Sequence, residues 1–128
     1  MQYKILVVED NLPNLENTIE LLELSNFIVF AAINGKDGLQ IALQQNPDLI
    51  LCDKQMPVMN GYQLLELVRS IPRFKYIPFV FLSTSSEKKD IEMGFAEGAN
   101  DYILKPFTGY ALLHKMEKYL KQPHAMLH

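Results

Sequence analysis

Three short runs in this chain are apolar almost without interruption: Lys4-Ile5-Leu6-Val7-Val8, Leu49-Ile50-Leu51-Cys52 and Phe79-Val80-Phe81-Leu82. They are too short to be buried helices, and they lack the in-out alternation of a strand with one wet face. Strands covered on both faces have this pattern, and such strands belong to parallel sheets. Two less uniform runs, residues 27–31 and 102–104, bring the expected set to five strands. The segments between them carry helical signals. Alternating strands and helices imply a parallel sheet with helices on both faces, and right-handed crossovers restrict the possible topologies.

The helix signals are local and specific. Pro13 opens the first helix at a position that needs no N–H, with Leu15, Ile19 and Leu22 as its buried stripe. Asn34 with Asp37 makes a capping-box-like start to the second, which turns Leu39, Ala42 and Leu43 inward. Asn60 with Gln63 does the same for the third, with Leu64, Leu67, Val68 and Ile71 inward. Ser86 is expected to cap the fourth helix and Thr108 the fifth. Gly98 is a stop for the fourth helix. Gly94 lies within it, where glycine costs ~1 kcal/mol relative to alanine.

Polar residues gather at one kind of place. The first run ends in Glu9-Asp10, the third in Asp53, the fourth in Ser83 and the last in Lys105. A carboxylate at the end of a buried strand is unfavourable unless something pairs with it. In open α/β sheets, ligands bind beyond the carboxyl ends of the strands, at the switch point of the strand order. Three acids converging there suggest a pocket for a hard divalent cation.

Composition narrows the setting. With 128 residues, 48% hydrophobic and 21% charged, the chain suits one domain with its own core. A net charge of −3 provides no electrostatic case for nucleic acid. One cysteine excludes an internal disulfide framework and suits a reducing compartment. No apolar stretch nears the ~20 residues a membrane span needs. The first residues lead into a strand with no signal-peptide pattern. The expectation is a cytoplasmic domain over residues 1–122 and a tail over 123–128, where Pro123 stops the last helix.

The acidic pair Glu9-Asp10, the loop Asp53-Lys54-Gln55-Met56-Pro57-Val58-Met59-Asn60-Gly61, Ser83 after the fourth strand, and the stretch Gly98-Ala99-Asn100-Asp101-Tyr102-Ile103-Leu104-Lys105-Pro106-Phe107 occur in that order. Together they resemble the receiver domain of two-component response regulators, as in single-domain chemotaxis and sporulation regulators, over about residues 3–121. The resemblance implies a flavodoxin-like, doubly wound, five-stranded parallel sheet of order 2-1-3-4-5 with five helices. It implies that Asp53 accepts a phosphoryl group from a sensor histidine kinase or a histidine phosphotransfer protein. Glu9, Asp10, Asp53 and the backbone carbonyl of Gln55 would hold Mg²⁺. Lys105 would pair with one phosphoryl oxygen, and Ser83 would donate to another. Pro106 resembles the family's cis proline, and Tyr102 its aromatic switch residue, which turns inward as Ser83 moves. The protein would be a signalling phosphoacceptor rather than an enzyme acting on a separate substrate. The kinase and the output protein stay unnamed.

Some features depart from the family pattern. Serine stands at position 83 where threonine is commoner, and Thr84 follows where a smaller residue is usual. Lys54 directly follows Asp53 and is expected to add positive charge at the rim. Cys52, Met56, Met59 and Phe107 read as packing residues. His114, His124 and His128 lack metal-ligand spacing. Arg73-Phe74-Lys75-Tyr76 reads as a surface loop. A dehalogenase-like phosphatase would need a second acid where Gln55 stands. A flavodoxin-like cofactor carrier would need phosphate-cradling residues where Glu9-Asp10 would repel them. The alternative that remains is a non-phosphorylated pseudo-receiver, used only for docking.

Overall fold

In the computed structural model, which describes residues 2–54, 56, 58–84 and 88–120, strands and helices alternate as the apolar runs require. The strands are β1 (Lys4–Val8), β2 (Ile28–Ala32), β3 (Leu49–Asp53), β4 (Phe79–Ser83) and β5 (Asp101–Leu104). The helices are α1 (Leu12–Leu24), α2 (Gly35–Gln45), α3 (Gly61–Ser70), α4 (Lys88–Ala96) and α5 (Gly109–Leu120). A short 3-10 turn, Pro72–Phe74, precedes β4. Every strand pairing is parallel, and the sheet order is β2-β1-β3-β4-β5, the order that the sequence resemblance implied.

The period-2 rule sorts the central strands onto two cores. Leu6, Val8, Ile50, Cys52, Phe79 and Phe81 pack on one side with Ala42 of α2 and Leu64, Leu65 and Val68 of α3. Ile5, Val7, Leu49, Leu51, Val80 and Leu82 pack on the other with Leu15 and Leu22 of α1 and Leu112 and Met116 of α5. Burying each large side chain in this way stabilises the fold by about 1.5–3 kcal/mol. β1 is the turning point of the strand order, with β2 on one side and β3 on the other. Its register sets Val8 beside Cys52, while Asp53 lies beside Leu82 and Ser83 beside Leu104. Glu9, Asp53 and Lys105 therefore leave the sheet at one rim.

The caps that the sequence signals at Asn34, Asn60 and Thr108 form. The side chains of Asn34 and Thr108 accept from the backbone N–H groups of Asp37 and Ala111 at 2.8 and 3.0 Å. Asn60 and Gln63 make a complete reciprocal capping box. Asn11 caps α1, accepting from Asn14 N–H at 2.9 Å, with Pro13 in the first turn. Ser86 lies outside the described residues. Gly98 ends α4 with φ 109°, a left-handed conformation that only glycine adopts freely.

Two helix stripes differ from expectation. Leu43 and Leu67 are 41% and 39% exposed rather than inward. On α3 the apolar positions permit two stripes of identical spacing, 64-67-68-71 and 61-64-65-68. The second is the one buried, because Gly61 lets the helix start approach β3: a Cβ there would lie 2.7 Å from the Asp53 carbonyl oxygen. On α2 the buried residues are Gly35, Gly38 and Ala42. A Cβ on Gly38 would come within 2.9 Å of Val8 Cγ2. That helix meets the sheet through small residues, which leaves Leu43 outside. The second strand also begins one residue later than its apolar run.

Candidate phosphoacceptor pocket

The rim above β1, β3 and β5 brings the expected acids and lysine together. One carboxylate oxygen from each of Glu9, Asp10 and Asp53 lies within 4.8 Å of the others. Glu9 is buried, Asp53 partly so, and Asp10 is exposed. Lys105 Nζ donates to Glu9 Oε1 at 2.5 Å and to Asp53 Oδ1 at 3.5 Å. Asn11 N–H donates to Glu9 Oε2 at 3.3 Å. The Lys105 backbone is itself fixed, since its N–H donates to the Ser83 carbonyl at 2.7 Å. The Lys105–Pro106 peptide is cis, in keeping with the resemblance.

The electrostatics follow from this geometry. Burial pushes the Asp53 carboxyl up to about 6, the nearby Glu9 adds to the rise, and Lys105 opposes it. Burial likewise raises the Cys52 thiol, with Asp53 and Glu9 adding to the effect. Cys52 packs in the core, on the face opposite Asp53, as a packing residue should. The donor set fits Mg²⁺: hard oxygens from several carboxylates, one of them open to water, suit a cation that keeps part of its hydration shell.

Ser83 ends β4 and is 6% exposed. Thr84 is exposed. With Glu9 and Lys105 it lines a cavity of about 400 Å³ between α1 and the loop before α5. Tyr102 is 7% exposed and already turned in. Its ring centroid lies 6.0 Å from that of Phe81. Gln55 and Pro57 lie outside the described residues. His114 is exposed and stacks on Tyr110 rather than facing the pocket.

Lys54 departs from its expected place. Its side chain is 7% exposed and lies under α4, not at the rim. Its Nζ meets Asp90 Oδ2 at 3.0 Å and sits 5.5 Å from the centroid of the Tyr62 ring. Burial opposes the charge, but contacts with Asp90 and Tyr62 outweigh it and raise the pKa. Strand parity carried the signal: Lys54 shares the even positions of Ile50 and Cys52, which face α3, while Asp53 does not. Neither Tyr62 nor Asp90 is distinguished by any local motif.

Fold and rim together define a doubly wound α/β domain with an acid cluster at its switch point and a lysine facing it. The chain belongs to the response regulator receiver domain family, whose model matches residues 5–117. It is 35% identical to the transcriptional regulatory protein HprR of Escherichia coli (strain K12) over 96% of this chain and 54% of that protein. Among solved structures, the chemotaxis protein CheY4 of Vibrio cholerae superposes with a TM-score of 0.90 at 28% identity, covering 94% of this chain and all of that one. The receiver domain of the Pseudomonas aeruginosa PAO1 sensor histidine kinase PA1611, solved with a magnesium ion coordinated in its active site cleft, superposes with a TM-score of 0.89 at 27% identity. It covers 95% of this chain and all of that one. The chain spans about half the length of several curated relatives that it matches. Among the described residues, no helix is long and apolar enough to cross a membrane.

Proposed function

We propose that the chain is the phosphoacceptor of a two-component phosphorelay, with Asp53 as the acceptor. The observation that carries this reading is the meeting of Glu9, Asp10 and Asp53 within 4.8 Å, with Lys105 bonded to two of them. In the transfer, an Asp53 carboxylate oxygen attacks the phosphorus of a phosphohistidine on a histidine kinase or phosphotransfer protein. The P–O bond forms, the P–N bond breaks, and the electron pair returns to the imidazole nitrogen. Lys105 leaves Glu9 to pair with a phosphoryl oxygen, and the Ser83 hydroxyl donates to another. Mg²⁺ held by Glu9, Asp10, Asp53 and the Gln55 carbonyl would neutralise phosphoryl charge. The receiver unit is residues 1–122, in the cytoplasm, and its output surface includes α4 and β5.

Intact-mass measurement with acetyl phosphate and Mg²⁺ tests the acceptor. One phosphoryl adduct is expected on the native chain and none on Asp53→Asn, whose amide is not a competent nucleophile. A stoichiometric adduct on Asp53→Asn overturns the assignment. No adduct on the native chain favours a docking pseudo-receiver.

A further inference from the structure

The structure assigns a positioning role to Lys54: through a sheltered ion pair with Asp90 it clamps α4 to the end of the strand that carries Asp53. A lysine with a side chain only 7% exposed is rare without a partner, and here the partner lies on a different element, 3.0 Å away. Tyr62 of α3 completes the arrangement. Its ring packs beside the ammonium, and its hydroxyl donates to the Asp90 backbone carbonyl at 3.0 Å. Side chain and backbone of Asp90 are thus both held from the other side of the interface.

Among the described residues α4 has few apolar anchors, with Ile91 packing partly buried against the core. Gly94 is its one buried residue. Even that contact is close, since a Cβ on Gly94 would stand 3.3 Å from two Phe81 ring carbons. Behind it, Phe81 contacts Tyr62 at 5.1 Å and Tyr102 at 6.0 Å between centroids. The Tyr102 hydroxyl is buried with no hydrogen-bond partner among the described residues. A buried unsatisfied hydroxyl favours any rearrangement that gives it a partner. The clamp therefore holds α4 beside a buried hydroxyl that lacks a partner among the described residues.

The base of the clamp is rigid and continuous with Asp53. The Lys54 N–H donates to the Leu82 carbonyl at 3.3 Å, and its carbonyl accepts from Gly61 N–H at 2.9 Å. With its backbone fixed on both sides, Lys54 starts from a set point at the strand end, and Asp90 and the Tyr62 ring hold its ammonium. A change in the Asp53 backbone as its side chain gains a phosphoryl group reaches α4 through Lys54 and Asp90. This read-out half rests on the phosphoacceptor reading above; the clamp itself does not.

Hydrogen exchange by mass spectrometry, first on the metal-free chain, separates the two. Lys54→Met and Asp90→Asn should each speed exchange in α4 at least tenfold and leave α3 and α5 unchanged. The double variant should exchange no faster than the faster single one, since both remove the same pair. Unchanged α4 exchange in both variants, or equal acceleration in every helix, overturns the clamp. In a second arm, beryllofluoride with Mg²⁺ serves as the phosphoryl mimic. The native chain should show altered exchange in α4. Lys54→Met should lose that response yet still be labelled at Asp53 by acetyl phosphate. A full α4 response in Lys54→Met overturns the read-out half. A native chain that takes no label overturns the phosphoacceptor reading on which that half rests and leaves the metal-free result on the clamp standing.

Discussion

α3 and α4 follow adjacent strands, pack on the same face of the sheet, and are held there in opposite ways. α3 has a complete capping box and buries Gly61, Leu64, Leu65 and Val68. α4 fully buries Gly94 alone, packs Ile91 partly buried against the core, and is further tied down by polar contacts from Lys54 and Tyr62. Apolar burial is non-directional and has no alternative partner to exchange for, so α3 acts as scaffold. A helix held by few contacts opens at low free energy, and the elements that move in switching come from that end of the range. On the reading proposed above, the difference points to α4 as the place where a change at Asp53 would be expressed.

Core truncation gives the largest contrast. Leu64→Ala in α3 removes a fully buried side chain and should cost about 2–5 kcal/mol. Met93→Ala in α4, at a position 47% exposed, should cost less than ~0.5 kcal/mol. Urea unfolding of both variants checks this. A Met93→Ala loss above that of Leu64→Ala would reverse the assignment of scaffold and switch.

The next effect concerns charge at the strand end between the two helices. Asp53 is raised from 3.8 to about 6, so the native state holds its proton more tightly than the unfolded chain does. Stability of the metal-free protein should then fall as pH rises through that window, and the deficit should be complete above it. Asp53→Asn should therefore stabilise the metal-free protein by about 1–2 kcal/mol at neutral pH. The gain should vanish as pH drops to the ordinary carboxylate value. Thermal melts across pH, with chelator present, check both parts. A gain that is equally large in acid would point to shape rather than charge.

Beryllofluoride binding should change the amide exchange of α4 and β5 by about tenfold, equivalent to ~1.4 kcal/mol of local opening free energy. α3 should show no comparable change. If protection shifts only in the loops around Glu9, Asp53 and Ser83, the domain is a relay without a remote output surface.

How much of this was legible in the sequence depended on the range of the interactions. The strands, the acid rim and the caps were readable because each rests on neighbouring residues: an apolar run, a polar residue at its end, an Asn with its partner three places on. The α3 stripe was not, because Leu64 and Val68 belong to two stripes of identical spacing. The close approach of Gly61 to β3, a tertiary fact, chose between them. The Lys54–Asp90 pair joins residues far apart in the chain, and no local pattern announces it. Tyr102 was identified as aromatic and inward-turning, but the conformation it occupies depends on the packing of Phe81 and α4.

The smallest effect on stability is expected at Asp10, where the contrast between buried and exposed anchoring recurs inside the pocket. Three carboxylates at ~4 Å with an effective dielectric near ~20 would repel by roughly 4 kcal/mol per pair before relaxation. Two features reduce this. Lys105 bonds to Glu9 and Asp53, offsetting their mutual repulsion, and Asp10 is exposed to screening solvent. Asp10→Ala should therefore raise metal-free stability by less than ~1 kcal/mol. Its effect on metal should be larger, because an exposed carboxylate is free to turn to a hydrated cation while Glu9 is engaged by Lys105. A loss of at least tenfold in Mg²⁺ affinity, equivalent to ~1.4 kcal/mol, is expected by titration calorimetry. Unchanged affinity would remove Asp10 from the candidate metal site and leave Glu9 and Asp53 as its candidate acids.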